Sequence, residues 1–220
     1  KVSVMKTRKK PVRNVGRIFV LFAFILAVTA IDAVAETKDK EFWDKKYDVE
    51  KFVFGKKALP FIENNIKLLP KGKALDIAMG EGRNGVYLAM QGFDVLGVDI
   101  SEVGLNKAHK LAEENKTKIS TQVVDLDTYQ LGKNAYDVIL LTYYTQRNLF
   151  PRIKESLKSG GMVVAETFTM DHLKYRPDFI KAYLLETNEF LEAFKDLKII
   201  RYQLVDDGKQ AYASILAQKP

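Results

Sequence analysis

Downstream of residue 37 the chain alternates short β-branched runs with longer segments of helical period, and this rhythm restricts the fold more than any other feature. The runs 73–78 (KALDIA), 94–99 (DVLGVD), 119–125 (ISTQVVD), 136–141 (YDVILL) and 162–168 (MVVAETF) are apolar with little alternation, as parallel strands buried on both faces require. Helical patterns at 82–91, 102–115 and 148–158 lie between them, the second opened by Ser101 as an N-cap. Strands separated by helices in this way imply βαβ units. Beyond a helix around 186–194 the rhythm breaks: runs 198–205 and 210–217 flank Asp206-Asp207-Gly208, a hairpin signal. The expected fold is α/β, a doubly wound, mostly parallel seven-stranded sheet that ends in an antiparallel hairpin.

The first run leads into Asp76-Ile77-Ala78-Met79-Gly80-Glu81-Gly82-Arg83-Asn84-Gly85, where Gly80, Gly82 and Gly85 spell G-x-G-x-x-G. After a strand, opening a helix, and with Asp99 ending the next strand, the pattern is a nucleoside-binding signature. The glycines let the backbone turn and a ligand approach, and Asp99 can accept from both ribose hydroxyls. The bland reading is that the glycines only tighten a turn and Asp99 only caps a helix. Charge bears on which nucleoside is bound. Asp76 at the strand end and Glu81 within the loop would repel a pyrophosphate and favour an ammonium or sulfonium. Asp125, followed by Leu126, ends the third strand and is placed to reach an adenine edge, unless it is simply a solvated acid.

These segments, with VVDLD, YDVILL and LKSGGMVVAETF, resemble the class I S-adenosylmethionine-dependent methyltransferases, especially the small bacterial branch around the tellurite-resistance methyltransferases. The resemblance covers roughly residues 41–220 and implies a Rossmann-like methyltransferase fold with S-adenosyl-L-methionine as cofactor. It implies that Ala78, Gly80, Gly82, Arg83 and Asn84 hold the methionine portion, Asp99 and Ile100 the ribose and adenine, and Asp125 with Leu126 the adenine edge, with Asp76 and Thr142 also at the cofactor. Many relatives have Gly-Cys where this chain has Ala78-Met79, a departure that removes a glycine near the ligand.

Methyl transfer is an in-line displacement at a sulfonium carbon, so a soft acceptor needs positioning and desolvation more than a base. The loop after the fourth run, Thr142-Tyr143-Tyr144-Thr145-Gln146-Arg147, lacks the Asn/Asp-Pro-Pro-aromatic pattern of nucleobase amino-methyltransferases. Tyr143 and Tyr144 are candidates to wall the sulfonium and orient an acceptor, or one of them packs into the core. Trp43 and Tyr47 stand in a segment that looks like an N-terminal lid, with plain helix packing as the alternative. His172, Tyr175 and Arg176 follow the fifth run and are candidates to line the acceptor pocket, though a lone exposed histidine is more often just surface. The expected activity is methylation of a small soft nucleophile, a thiol or chalcogen species, by a monomer. An NAD-dependent oxidoreductase and a non-catalytic cofactor-binding module are the alternatives.

The formal charge of +7 would suggest nucleic acid if it were spread over the fold. It is concentrated in residues 1–35, which hold seven basic residues and one acid and leave +1 for the rest, so no nucleic-acid partner is expected. With no cysteine and only His109 and His172, no metal site is expected either. Basic residues up to Arg17, the apolar run 18–31, and Ala33-Val34-Ala35 follow the order of a signal peptide. Residues 1–37 are therefore expected to be a leader, either a signal peptide or a membrane anchor. The domain 38–220 would then be tethered or exported to the bacterial periplasm, or cytoplasmic if translation starts at Met5.

Overall fold

The computed structural model describes residues 38–220. Its seven strands are β1 (Lys73–Ile77), β2 (Asp94–Asp99), β3 (Ser120–Val123), β4 (Tyr136–Thr142), β5 (Leu157–Phe168), β6 (Lys198–Asp206) and β7 (Ala211–Gln218). They form one sheet in the order β3-β2-β1-β4-β5-β7-β6. Neighbours from β3 to β5 run parallel, and β7 is antiparallel to both β5 and β6, as expected from the hairpin signal. The order reverses between β1 and β4, so the crevice at the carboxyl ends of these strands is the position where open α/β sheets take ligands.

Helices cover both faces. On one side α2 (Pro60–Asn65), α3 (Arg83–Met90) and α4 (Glu102–Glu114) bury Ile62, Leu88, Leu105 and Ala108 against Val138, Leu140, Val164 and Leu216. On the other, α5 (Leu149–Ser156) and α6 (Glu189–Ala193) pack Ile153, Phe190 and Phe194 onto Ile77, Ile139, Val163 and Ile215. An N-terminal helix, α1, occupies residues 38–47.

Three boundaries differ from the sequence expectation by two residues or more. The helix expected to 158 stops at Ser156 because β5 begins at Leu157, which pairs with Tyr136. A register shift before Val138↔Met162 absorbs Gly160 and Gly161 as a bulge in the strand. β3 ends at Val123, since Asp125 opens a turn whose carbonyl accepts from the N–H groups of Thr128 and Tyr129. α6 starts only at Glu189, preceded by Asn188 in the left-handed region at φ +60. Among the described residues no helix is long and apolar enough to cross a membrane, and no group of three or more potential metal ligands occurs. The expected leader lies outside the described residues.

Candidate active site

After Ile77 the chain turns through three left-handed residues, Ala78 (φ +53), Gly80 (φ +56) and Gly82 (φ +84), before α3 begins. Asp99, at the end of β2, ties this loop to α4. Its Oδ2 accepts from the Gly80 N–H at 2.7 Å and its Oδ1 from the Ser101 N–H at 2.8 Å. Burial raises the Asp99 pKa against the pull of backbone N–H groups from Ser101, Gly80 and Ile100. Asp76, 2% exposed, lies beneath the loop. Burial pushes its carboxyl up to about 7; the Gly85 N–H opposes this, the Asp99 charge adds to it, and Arg83 opposes it. A buried acid this poorly compensated is complementary to a cation.

The glycines of the motif make room for protein rather than leaving open space. A Cβ on Gly80 would fall 2.6 Å from the Tyr47 hydroxyl, one on Gly82 would strike Ala108 of α4, and one on Gly85 would strike the Met79 side chain and Asp76. Met79 also fills the position a side chain on Gly97 would take, so it is a core residue under the loop. The Ala78-Met79 departure thus divides: Met79 is absorbed by two glycines, whereas Ala78 keeps a conformation that costs a non-glycine residue about 1–2 kcal/mol.

Tyr47 brings α1 across the loop. Its ring also lies against Gly104 and stacks on Trp43 at 5.6 Å between centroids, and Asp44, one turn earlier, accepts from Ser101 Oγ (2.6 Å) and the Val103 N–H at the start of α4. Lys107 of α4 donates to the carbonyls of Tyr47, Val49 and Lys51, and its ammonium lies 2.6 Å from Glu81 Oε1. Glu81 Oε2 accepts from the Phe54 N–H, and Arg83 donates to the Phe54 carbonyl. The expectation that Glu81 sets the loop's charge toward a ligand is therefore corrected. Its carboxylate, 4% exposed, is neutralised by Lys107 and holds the segment after α1. Neither Asp44 nor Lys107 was among the expected site residues. Spacing of Trp43, Asp44 and Tyr47 on one helical face was the available signal for Asp44.

On the other side, buried Asn84 bridges the start of α2 to the end of β4: its Oδ1 accepts from the Leu59 N–H and its Nδ2 donates to Thr142 Oγ1, each at 3.0 Å. Tyr143 (φ +53) and Tyr144 then diverge to opposite faces of the sheet. The Tyr143 ring lies under the Arg83 guanidinium at 5.7 Å and against Phe168, and its hydroxyl donates to Glu166 Oε1 at 3.0 Å. Tyr144 donates to Gln146, and its phenol pKa is raised by burial and by the charges of Asp127, Asp125 and Asp99. Ile100 and Asp125 are half-buried, and Asp125 Oδ1 accepts from the Asp127 N–H. The Leu126 side chain belongs to the core, while its carbonyl accepts from Arg152.

The three acceptor-pocket candidates lie on one turn after β5, with the His172 and Tyr175 rings 6.5 Å apart, but their polar groups go to different partners. His172 is 5% exposed, not the surface residue suggested by the bland reading: it stacks on Phe168 at 4.0 Å, and burial followed by Arg176 lowers its pKa. Tyr175 donates to Asp206, and Arg176 pairs with Asp178. Sequence reasoning passed over Glu166. Its signal was one acid directly after the apolar run Met162-Val163-Val164-Ala165.

Fold and site together define a class I S-adenosylmethionine-dependent methyltransferase. The family model described as "Tellurite resistance protein TehB" matches residues 35–209, and the chain belongs to that family. A curated relative, the probable S-adenosyl-L-methionine-dependent methyltransferase TehB of Haemophilus influenzae, is 25% identical over 201 residues, covering 83% of this chain and 67% of its own length. The crystal structure of TehB from Haemophilus influenzae superposes with a TM-score of 0.63 at 22% identity, covering 82% of this chain and 67% of that one. Magnesium protoporphyrin IX methyltransferase from Synechocystis, solved with bound SAH, gives 0.62 at 18% identity, covering 84% and 99%. The dinucleotide oxidoreductase alternative falls with this membership.

Proposed function

We propose that the chain methylates a small soft nucleophile, a thiol or a reduced chalcogen species, with S-adenosylmethionine supplying an electrophilic methyl carbon. The observation that carries the cofactor assignment is the buried, under-compensated Asp76 beneath a loop pinned by Asp99. An ammonium near Asp76 would restore its charged form, and the Asp99 carboxylate would offer its remaining acceptor capacity to a ribose hydroxyl. In this reading Ala78, Gly80, Gly82, Arg83, Asn84 and Thr142 surround the methionine portion, and Ile100, Asp125 and the Leu126 backbone border the adenine.

What the protein contributes is position and dryness. Trp43 and Tyr47 cover the loop, Lys107 latches the segment behind them, and Tyr143 and Tyr144 frame the end of β4. Buried His172 shapes this wall through Phe168. A soft acceptor agrees with the tellurite-resistance description of the family and with the absence of a basic surface excess on the domain. The test is calorimetry followed by a screen with labelled methyl donor. The full chain should bind S-adenosylhomocysteine in preference to NAD, and Asp99→Asn should weaken that binding by about 1–3 kcal/mol. Label transfer to small thiols or chalcogen compounds is expected. Tighter binding of NAD, or transfer confined to nucleic acid, would end the proposal.

The leader is a proposal of its own, supported by the order of its charge block, apolar run and Ala33-Val34-Ala35. Residues 1–40 fused to a reporter active only after export should give signal, and a reporter signal confined to the cytosol would refute it.

A further inference from the structure

A cavity of about 230 Å³ lies between α2 and the sheet edge made by β5, β7 and β6. Glu166, Tyr212, Arg201, Gln203, Asn64 and Asn65 supply its polar lining. Glu166, 3% exposed, is paired across the sheet with Thr142 on one side and Ser214 on the other, so the cavity begins one strand from the β4 end that Asn84 ties to the cofactor loop. Both carboxylate oxygens are held: Tyr143 donates to Oε1 at 3.0 Å, Ser214 Oγ donates to Oε2 at 2.6 Å, and Gln203 Nε2 donates in turn to Ser214.

Two departures from regular backbone geometry converge on this cavity. Tyr143 stays left-handed at φ +53, an outlier for a bulky residue, with its ring carried between Arg83 and Phe168 and its hydroxyl on Glu166. In β6 the register shifts between Ile199 and Arg201, so that Arg201 opposes Leu216, whose side chain faces the α2 layer, instead of Ile215, which faces the other. Arg201 and Gln203 thereby share the face of Glu166. The Arg201 guanidinium donates to the Ile200 carbonyl, and no carboxylate pairs with it among the described residues.

We infer that this cavity is the methyl-acceptor pocket and that it takes a thiol carboxylate or similar small molecule, protic nucleophile toward Glu166 and anionic group toward Arg201. The inference rests on the methyltransferase reading above and names its substrate class. The volume matches about eight waters, room for a molecule of roughly ten non-hydrogen atoms and below the usual range for drug-sized ligands. Its charges, one carboxylate within and one guanidinium at the rim, call for the opposite order on the ligand. In the reaction the thiol proton passes to the Glu166 carboxylate and the freed sulfur pair forms the bond to the methyl carbon. The electrons of the broken sulfonium bond return to the donor sulfur as a neutral thioether, and Glu166 then yields its proton to water. Burial holds the Glu166 pKa up against Ser214, Tyr143 and Arg83, which suits a proton acceptor.

The experiment uses 3-mercaptopropionate as probe with the full chain, its Arg201→Gln variant and its Glu166→Gln variant. Arg201 is exposed, so its substitution leaves folding intact even if the buried Glu166 variant does not fold. Amide shifts at Asn64, Arg201 and Gln203 should move when the probe is added to cofactor-free protein, and should not move in Arg201→Gln. Arg201→Gln should raise KM for the probe about tenfold at nearly unchanged kcat. Glu166→Gln should lower kcat about a hundredfold with KM little changed. Affinity for S-adenosylhomocysteine should stay within about twofold in both variants. Shifts elsewhere, no shifts at millimolar probe, or kinetics indifferent to both substitutions in a protein that binds S-adenosylhomocysteine would overturn this pocket and leave the methyltransferase reading standing. Failure to bind S-adenosylhomocysteine at all would overturn both.

Discussion

The Tyr47 hydroxyl occupies the space where a side chain at residue 80 would begin, 2.6 Å from a Cβ placed on Gly80. The contact couples α1 to the glycine-rich loop after β1, and Gly80 is left-handed as well. Gly80→Ala should therefore destabilise the fold by roughly 2 kcal/mol, part from backbone strain and part from displacing Tyr47. In a double-mutant cycle with Tyr47→Ala the steric part disappears while the strain part persists. Denaturant titrations of the four proteins provide the measurement, and strict additivity would show that the ring does not press on the loop.

Lys107 holds the segment behind α1 through three carbonyls and neutralises a carboxylate that is 3% exposed as a side chain. Removing the ammonium strands that charge. Lys107→Met should cost about 3 kcal/mol, and Lys107→Met with Glu81→Gln distinctly less, because the second change removes the uncompensated ion. Hydrogen exchange at the Phe54 amide, which donates to Glu81, should quicken in the single variant. Equal losses in single and double variants would mean that the carbonyl contacts alone matter.

Asp76 gives a pH dependence of defined sign. Its folded pKa of about 7 exceeds the ordinary aspartate value of 3.8, so between those limits the native protein binds more protons than the unfolded chain. The contribution is fully present below about pH 4 and is lost as pH rises through 7, roughly 4 kcal/mol across the titration. Other carboxylates titrate oppositely, so the wild type should be compared with Asp76→Asn. Their stability difference should drift in favour of the variant between pH 4 and 7 and flatten above. Saturating S-adenosylhomocysteine should lower the pH at which Asp76 titrates. A difference that stays constant with pH would remove the raised pKa.

The seven strands, their mostly parallel character and the closing antiparallel hairpin were legible because buried parallel strands write themselves as unbroken apolar runs, and β2 was placed to the residue. Strand ends were less legible. β5 extends back through Ser159-Gly160-Gly161 because a bulge can absorb glycines that read as a turn. At the site, the acids at strand ends were visible through their spacing. What a side chain meets across the fold was not: Glu81 reads as a loop charge until Lys107 arrives from a helix 26 positions later. The bulge that re-aims Arg201 leaves no mark in local sequence, since its cause is pairing with β7.

Ala78 supplies the last prediction. It sits at φ +53 at the head of the glycine-rich loop after β1. Left-handed backbone costs an alanine about 1–2 kcal/mol, whereas a glycine there forfeits about 0.4–1 kcal/mol through its freer unfolded chain. Part of what remains is offset by the methyl group's half-buried contact with the core. Ala78→Gly should thus stabilise the protein by about 0.5 kcal/mol, and Ala78→Val should destabilise it by at least about 1 kcal/mol, since a branched Cβ is worse placed in that region. The order Gly, Ala, Val in chemical-denaturation midpoints is the signature, with S-adenosylhomocysteine affinity following it if the loop's shape limits binding. Valine as stable as alanine would show that residue 78 is not held left-handed in solution, and with that the account of the Ala78-Met79 departure would fail.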